Sequence, residues 1–322
     1  MFIDTHAHIP LDIKESFVNN AIKNNVKVIV NQSEDLKTSY DSVDLANTFN
    51  EVFACVGVHP ENVKDFKESD LPKFKELLMN KKVVGVGEIG LDYYYGKEDK
   101  DLQIKVFREF LKLAEMYDKP VVIHSRDAVM DTINILKEYN VKGIIHCFSG
   151  SLEVANIYIK MGFYLGIGGV LTFKNSKLYE VVKNISIDNL VLETDSPFLS
   201  PEPYRGKPNE SKNIPIIGEC LSKHLGISLE EVMNKTTSWL GTANENKTPE
   251  DNYEEFGDNA TWIPMEKFEA VYAKLLIADN GTLGKFVFNG NYMFSQEGVN
   301  SDGDSSNNYE DFNPDSPDSG SF

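Results

Sequence analysis

Histidines and acidic residues recur along the first 200 residues, each beside a short run of apolar residues. His6 and His8 form a His-x-His pair. In an extended segment, residues two apart project to the same side, so both imidazoles can reach one ion. Four further residues of suitable type each end or follow a different apolar run, namely Glu88, His124, His146 and Asp195. Imidazole nitrogens and carboxylate oxygens are common ligands of divalent cations, so these residues are predicted to form a metal site.

This set of four imidazoles and two carboxylates is large enough for two cations. The cations would share a carboxylate and keep open positions for water and substrate. Two neighbouring cations lower the pKa of a bound water and stabilise the charge that develops in a hydrolytic transition state. Asp195, beside that water, would orient it or accept its proton. A single histidine at a strand end is more commonly structural, but so many coinciding positions favour the metal interpretation.

The elements that would position these residues alternate in type up to about residue 240. Eight short apolar runs have the pattern of parallel strands buried on both faces. They are Phe2–Thr5, Val26–Asn31, Val52–Val58, Val83–Glu88, Val121–His124, Gly143–His146, Phe163–Gly168 and Leu190–Glu193. Between them lie stretches with helical spacing, such as Asp101–Tyr117 and Asp127–Tyr139. This alternation predicts an α/β fold, a (β/α)8 TIM barrel, with a doubly wound open sheet as the alternative. In a barrel the strand ends meet at one rim, where the candidate ligands fall.

The segment Gly85-Val86-Gly87-Glu88-Ile89-Gly90 matches the spacing of a dinucleotide-binding glycine loop. That motif needs a tight turn after a strand and a helix that opens at the last glycine. Here the glycines fall within a predicted strand, and residues 91–96 are predicted to form a loop. Nucleotide-cofactor binding is therefore rejected.

Composition narrows the class of protein. Of 322 residues, 41% are hydrophobic and 25% charged, which excludes collagen-like and wholly disordered classes. The net charge of −18 opposes sequence-independent coating of nucleic acid, although cations at a site would still attract a nucleic-acid substrate. The chain has three cysteines without a Cys-x-x-Cys pair, no apolar run of membrane-spanning length and no signal-peptide pattern. These features predict a cytoplasmic protein without a membrane segment.

The character of the chain changes near residue 240. Residues 245–322 contain 4 Lys+Arg and 16 Asp+Glu, so two thirds of the net charge falls in the last quarter of the chain. We predict three parts: a barrel over residues 1–241, a linker with a small appended segment over 242–300, and a disordered acidic tail over 301–322.

Two elements are predicted within the appended segment. Pro264–Ile277 has the pattern of an amphipathic helix, and Phe286–Phe288 with Tyr292–Phe294 has that of a β-hairpin. The acidic tail contains Tyr309–Phe312 and ends in Phe322. Such a composition serves either as a solubilising segment or as a recruitment site for a protein partner.

Six segments, in order along about 235 residues, resemble the TatD family of metal-dependent deoxyribonucleases, which belongs to the amidohydrolase-like TIM-barrel hydrolases. They are Phe2–Pro10 (FIDTHAHIP), Val56–Glu61 (VGVHPE), Gly87–Tyr94 (GEIGLDYY), Val122–Ala128 (VIHSRDA), His146–Gly150 (HCFSG) and Leu192–Leu199 (LETDSPFL). The resemblance implies an eight-stranded barrel that binds two divalent cations, Mg²⁺ or Mn²⁺, with Zn²⁺ as an alternative. It also implies 3′-to-5′ exonuclease action on single-stranded DNA or RNA.

The resemblance assigns roles to the predicted ligands, position by position. One cation would be held by His6, His8 and Asp195. The other would be held by His124 and His146, with Glu88 as the bridge between the two. Glu88 and Asp195 would thus be the catalytic residues.

Three further residues are candidate substrate contacts. His59 would touch phosphate or polarise a leaving group, or else is a structural histidine in a turn. Arg126 would bind phosphate through its planar donor fork, or pair with Glu88 or Asp127. Arg205 lies in a segment that resembles the Arg-Gly-Lys loop of the family, and an exposed loop arginine favours substrate contact. Tyr93–Tyr95 would either stack on bases or pack as a lid.

The chain departs from the family pattern near its end. Pro208–Ser211 stands where the family continues with Asn-Glu-Pro, and Thr236–Gly241 replaces the usual Thr-Thr-x-Asn helix that ends in Leu-Phe. We therefore expect the closing helix to be altered or cut short, which would expose apolar surface on the first and last barrel strands. Pro264–Ile277 is a candidate cover for that surface.

Two other functions stay open at this point. The same site would serve an amide or ester hydrolase, such as an aminoacyl-tRNA deacylase-like enzyme. Amidohydrolases of that sort often use a carboxylated lysine between the metals, where Glu88 stands here. Alternatively, the barrel is impaired and carries an acidic interaction tail. The intact ligands argue against this alternative, and the altered closing helix argues for it.

Overall fold

Eight parallel strands form one sheet in chain order in the computed structural model, which describes residues 1–237, 260–262 and 276–278. The strands are β1 Phe2–Ala7, β2 Val26–Asn31, β3 Val52–Val56, β4 Val83–Asp92, β5 Val121–Arg126, β6 Gly143–Ile145, β7 Tyr164–Ile167 and β8 Leu190–Leu192. The sheet closes on itself just beyond β8, where Ala7 bridges Ser196 in parallel and the Asp195 amide donates to the His6 carbonyl at 2.9 Å. The predicted TIM barrel is confirmed, and the open sheet is wrong.

Nine α-helices lie within the described residues and join or follow the strands. They are α1 Lys14–Lys23, α2 Leu36–Thr48, α3 Leu71–Leu78, α4 Lys100–Met116, α5 Val129–Leu136, α6 Leu152–Lys160, α7 Leu178–Val182, α8 Ile214–Leu225 and α9 Leu229–Thr237. Local chemistry sets their ends. Asp35 accepts the Thr38 amide at 2.7 Å to cap α2, and Gly226, with φ of 70°, ends α8 in the left-handed conformation.

Helix α4 shows how the outer layer packs on the barrel. Its buried side chains include Val106, Phe110 and Leu113, whose spacing of three to four residues forms one apolar face. The Phe110 ring packs edge-on against Phe74 of α3, with the ring centroids 4.8 Å apart. Both helices also pack against β4, the strand that carries Glu88.

Strand β4 is longer than the sequence predicts. It was expected to end at Glu88, but it pairs with β5 through Gly90–His124 and as far as Asp92–Arg126. Glu88 is therefore inside the strand rather than at its end, and the assignment of Leu91 and Asp92 to a loop is wrong. The glycines of the dinucleotide-like segment all lie within this strand rather than in a turn before a helix.

Helices α8 and α9, which are within the described residues, cover the first and last strands of the barrel. Both α8 and α9 pack against β1 and β8. A Cβ added to Gly218 of α8 would lie 2.9 Å from the Phe2 ring, which shows how closely the helix backbone approaches β1. Phe2 and Leu192 are buried. The expected apolar gap on the first and last strands is therefore absent from the described residues, and α9 continues at least to Thr237.

Only two short segments are described beyond Thr237. Strands β9 Ala260–Trp262 and β10 Leu276–Ala278 pair in antiparallel fashion. The predicted helix Pro264–Ile277 is therefore wrong at its last two residues, Leu276 and Ile277, which pair as part of a strand. The rest of that helix, the linker, the predicted hairpin and the acidic tail lie outside the described residues.

By internal contacts, the chain divides into the units Met1–Leu283 and Gly284–Phe322. The second unit lies outside the described residues, and the predicted boundaries at 241 and 300 stay predictions. Among the residues that the structure describes, no helix has the length and apolar character that crossing a membrane requires.

Candidate metal centre

All six predicted ligands meet at the carboxyl-terminal rim of the barrel. His6 lies in β1 and His8 just beyond it, while His124 lies in β5. The remaining positions are Glu88 inside β4, His146 directly after β6 and Asp195 three residues after β8. Because parallel strands in a closed barrel all end at the same rim, six positions spread over 190 residues converge on one cluster.

Two residues of this rim adopt an unusual backbone conformation. Cys147 and Asp195 have φ of 46° and 56°, in the left-handed region that residues other than glycine seldom adopt. Each follows a short strand; Cys147 adjoins the predicted ligand His146, and Asp195 is itself a predicted ligand. Such strain is commonly retained at functional sites, where it fixes the direction of a side chain.

Glu88 lies between two sets of imidazoles, and each of its oxygens faces a different set. Oε2 is 3.2 Å from His6 Nε2 and 3.6 Å from His8 Nε2. Oε1 is 2.9 Å from His124 Nδ1 and 3.8 Å from His146 Nε2. The side chain is only 4% exposed. This is the geometry expected of a carboxylate that bridges two cations.

Asp195 joins the first of these sets. Its Oδ1 lies 3.7 Å from His6 Nε2 and 3.8 Å from His8 Nε2. The same oxygen is 3.8 Å from His146 Nε2, and the His146 ring stacks on that of His6 with centroids 3.5 Å apart. His146 is thus close to both sets.

His59, predicted as a substrate contact, lies close to the predicted metal ligands. Its Nε2 is 3.7 Å from Glu88 Oε1, and its Nδ1 accepts the Glu61 amide at 3.3 Å. Three groups of donor atoms lie within 4.8 Å of one another: His6, His8 and Asp195; His59, Glu88 and His124; and His6, His146 and Glu193. His59 is therefore a candidate ligand as well as a candidate substrate contact.

Two carboxylates that the sequence analysis did not single out complete the cluster. Glu193 Oε1 accepts the Cys147 amide at 2.6 Å and lies 3.1 Å from His146 Nδ1. Asp92 Oδ2 lies 3.0 Å from His124 Nε2. Glu193 could have been found from the sequence, because it is an acidic residue at the end of an apolar run. Asp92 could not, because the sequence analysis placed it in a loop.

The charge of this cluster favours a bound cation. In the described part of the chain, Glu88, Asp92, Glu193 and Asp195 form ion pairs only with histidines, and none pairs with a lysine or arginine. Buried carboxylates require a positive partner, because burial strongly disfavours an isolated charge. Imidazoles and carboxylates in this number suit divalent cations, so the residues fit a metal centre.

Three imidazoles of the centre are held neutral, as metal ligation requires. Burial and the adjacent His146 keep the pKa of His6 well below its usual range. Burial also lowers the pKa of His8, and it lowers that of His59 to about 4. A neutral imidazole keeps one nitrogen lone pair free for a cation.

The other two imidazoles sit in an excess of negative charge. Burial alone would lower the pKa of His124, but its contacts with Asp92 and Glu88 raise it to about 9. Burial opposes protonation of His146 as well, yet Glu193 and Glu88 raise its pKa to about 10. Either protons on these rings or a divalent cation beside them would neutralise the carboxylates.

The pKa values of the carboxylates Glu88 and Asp195 shift in opposite directions. Burial would raise the pKa of Glu88, but the charge of His146 and the hydrogen bond with His124 hold it well below its usual range. Burial raises the pKa of Asp195 to about 7. A low pKa keeps Glu88 ionised at the centre of the cluster.

The cluster forms the floor of an open cleft with a volume of about 750 Å³. Arg126 lines this cleft, and its guanidinium rests 4.0 Å from the Tyr94 ring centroid and 4.8 Å from that of Tyr95. It is not paired with Glu88. Arg205 is not among the lining residues; it packs 3.9 Å from the Phe173 ring centroid and donates to the Ser200 carbonyl. The structure thus brings Arg126 to the site but not Arg205.

The chain is similar to hydrolases of one family. A family model described as TatD related DNase matches residues 3–240. The chain is 42% identical over 246 residues to the uncharacterized metal-dependent hydrolase YabD of Bacillus subtilis, an alignment that covers 74% of this chain and 96% of that protein.

Solved structures agree with this match. The TatD homolog YJJV of Escherichia coli aligns with a TM-score of 0.70 and 28% identity, over 73% of this chain and 94% of that one. A TatD family hydrolase of Entamoeba histolytica aligns with a TM-score of 0.66, also at 28% identity, over 73% of this chain and 95% of that one. With an eight-stranded barrel and a rim of histidines and carboxylates, the chain belongs to the TatD family of metal-dependent hydrolases.

Proposed function

We propose that this chain is a phosphodiesterase that removes nucleotides from the 3′ end of single-stranded DNA or RNA in the cytoplasm. Two divalent cations, Mg²⁺ or Mn²⁺, would serve the reaction, with Zn²⁺ as an alternative. The observation that carries the proposal is the position of Glu88, whose two oxygens face His6 and His124 at 3.2 and 2.9 Å. A carboxylate shared in this way suits two cations better than one.

Besides the bridging glutamate, five residues of the rim would hold the cations, and one of them, Asp195, would also take part in the reaction. His6, His8 and Asp195 would hold one cation, and His124 with His146 the other. When bound, such a pair of cations supplies an activated water and neutralises phosphate charge. Asp195 lines the cleft, so its carboxylate can accept a proton from a water that attacks there.

The mouth of the cleft has features that suit a single-stranded polynucleotide. Tyr95 and Phe198 line it and are 59% and 56% exposed. Aromatic rings stack on unpaired bases of any sequence. Arg126 beside Tyr95 offers a planar donor fork for phosphate oxygens. Because the chain as a whole is acidic, this local cation and the bound metals would provide the attraction for the substrate.

The proposal is tested with single-stranded oligonucleotides labelled at either end. We expect a ladder that shortens from the 3′ end, requires Mg²⁺ or Mn²⁺, and disappears in Glu88→Ala. Glu138→Ala is the matched control, because Glu138 is an exposed glutamate whose ion-pair partner in the described part of the chain is the surface residue Arg108. Metal-dependent turnover of amides or carboxylic esters without nucleic-acid cleavage would contradict the proposal. So would a folded protein that retains its cations and cleaves no polynucleotide.

A further inference from the structure

The carboxylate of Asp92 has two different tasks at the end of β4. Its Oδ1 accepts the backbone amides of Tyr94 and Tyr95 at 2.9 and 2.8 Å, which holds the first turn of the loop that follows. Its Oδ2 lies 3.0 Å from His124 Nε2. The side chain is almost completely buried, which shields both oxygens from bulk solvent.

His124 lies between two carboxylates, one at each ring nitrogen. Nε2 faces Asp92, while Nδ1 faces Glu88 Oε1 at 2.9 Å. A neutral imidazole has one protonated nitrogen and one with a free lone pair, and only the latter binds a cation. Nδ1 can therefore act as a ligand beside Glu88 only if the single proton is on Nε2.

We propose that Asp92 is a positioning residue that keeps the proton of His124 on Nε2 and so leaves Nδ1 free for the second cation. This inference rests on the proposed two-cation function. Because the same carboxylate holds the Tyr94 and Tyr95 amides, it also ties the exposed aromatic loop to the metal centre. A ligand imidazole is commonly oriented by a carboxylate on its other nitrogen, and the loss of that partner typically weakens metal binding 10- to 100-fold.

The surroundings of Asp92 fix the orientation of its carboxylate. Gln103 accepts the Asp92 amide at 2.9 Å and donates to the Asp92 carbonyl at 2.9 Å, so the backbone is held from both sides. The two tyrosine amides hold Oδ1 as described. In Asp92→Asn, the side-chain oxygen must stay opposite these two donors, because an NH2 group there would face two N–H groups. The new NH2 group therefore faces His124.

The substitution should reverse the proton position on the ring. An NH2 donor opposite Nε2 requires Nε2 to be the acceptor, which moves the ring proton to Nδ1. A protonated Nδ1 cannot bind a cation. Asp92→Asn thus keeps the shape of the loop while it removes one negative charge and reverses the tautomer, which is why the ring tautomer is measured beside cation affinity; Asp92→Ala would also remove the acceptor of the loop amides.

The test measures cation binding and the ring tautomer on the full-length chain. Mn²⁺ titration followed by electron paramagnetic resonance should show two bound ions in the wild type. In Asp92→Asn the second ion should bind 10- to 100-fold more weakly. Nitrogen-15 spectra of His124 should show the proton on Nε2 in the Mg²⁺-loaded wild type and on Nδ1 in the metal-free variant at alkaline pH. The spectra also report whether the variant is folded.

Asp131→Asn is the matched control. Asp131 accepts the Tyr93 hydroxyl at 2.8 Å and pairs with Lys100 at 2.7 Å, so its loss loosens the same loop without touching His124. We expect this variant to bind two ions with wild-type affinity. Second-ion loss in Asp131→Asn equal to that in Asp92→Asn would show that loop order alone is responsible and would overturn the inference.

Failure of the inference is distinguishable from failure of the proposed function. If the wild type binds fewer than two ions, the two-cation function is wrong and the role of Asp92 in it falls as well. If the wild type binds two ions and Asp92→Asn binds both with unchanged affinity, only the inference about Asp92 is wrong. A metal-free Asp92→Asn protein whose His124 proton is on Nε2 would overturn it in the same way.

Discussion

Replacing Gly166 with alanine should damage the metal centre by displacing Glu193, which contacts His146. Gly166 lies in β7, and a Cβ built there would be 2.1 Å from Glu193 Oε2 and 2.6 Å from Glu193 Cδ. Glu193 is fully buried, and its other oxygen accepts the Cys147 amide at 2.6 Å and faces His146 Nδ1 at 3.1 Å. The carboxylate can make room for the methyl group only by leaving these partners.

The size of the effect follows from these distances. To reach the 3.4 Å at which ordinary contact begins, Oε2 and the new Cβ must separate by about 1.3 Å. Overpacking of a tight interior costs about 1–3 kcal/mol. Leaving the partly buried Cys147 amide without its acceptor costs about 1–2 kcal/mol more. We therefore expect the free energy of unfolding to fall by about 2–5 kcal/mol, and cation affinity to fall about 10- to 100-fold through the loss of His146 orientation.

Urea unfolding and calorimetric cation titration measure the two quantities. Gly168→Ala is the matched control, because its Cβ would meet nothing closer than 3.6 Å and its φ of −109° suits any residue. The control should keep wild-type cation affinity and lose less than about 0.5 kcal/mol of stability. The reasoning would be refuted if Gly166→Ala and Gly168→Ala behaved alike, since the proximity to Glu193 would then have no energetic consequence.

Three more outcomes are expected. Chelation of divalent cations should lower the thermal midpoint, because an ion present at 100 times its dissociation constant contributes about 2.7 kcal/mol, and an unchanged midpoint would argue against bound cations. Arg126→Ala should weaken binding of single-stranded DNA and reduce the salt slope by about 0.7 per lost phosphate contact, with cation stoichiometry unchanged; an unaltered slope would remove Arg126 from the substrate site. Asp35→Ala should cost about 1 kcal/mol of stability by removing the cap of α2, without a change in kcat, and a larger loss of activity than of stability would contradict a purely structural role.

Much of the fold and of the donor set could be predicted from the sequence, because both depend on patterns that repeat along the chain. Short apolar runs alternating with helical spacing are enough to indicate a barrel. A barrel then places every strand end at one rim, so His6, Glu88 and Asp195 could be grouped without knowledge of any distance. The resemblance of the motifs to one family pointed to the same set.

What could not be predicted depends on contacts between elements. The length of β4 is set by its pairing with β5 as far as Asp92, and no local pattern records that pairing. The roles of Asp92 and Glu193 likewise depend on contacts between strands, because each carboxylate faces one particular ring nitrogen of a histidine on another element. Arg205 packs on Phe173 rather than lining the cleft, a tertiary contact that the sequence of its loop does not reveal. The packing of α8 against β1 is also a tertiary contact. The altered sequence near Thr236 therefore led to the wrong expectation that apolar surface on the first and last strands is exposed.

The most direct test of the account is anomalous diffraction from crystals of the chain grown with Mn²⁺. The account predicts two peaks, one beside each oxygen of Glu88, with His6 and His8 at the first and His124 at the second. A single peak at the rim, or two peaks that leave Glu88 without contact to either ion, would contradict it.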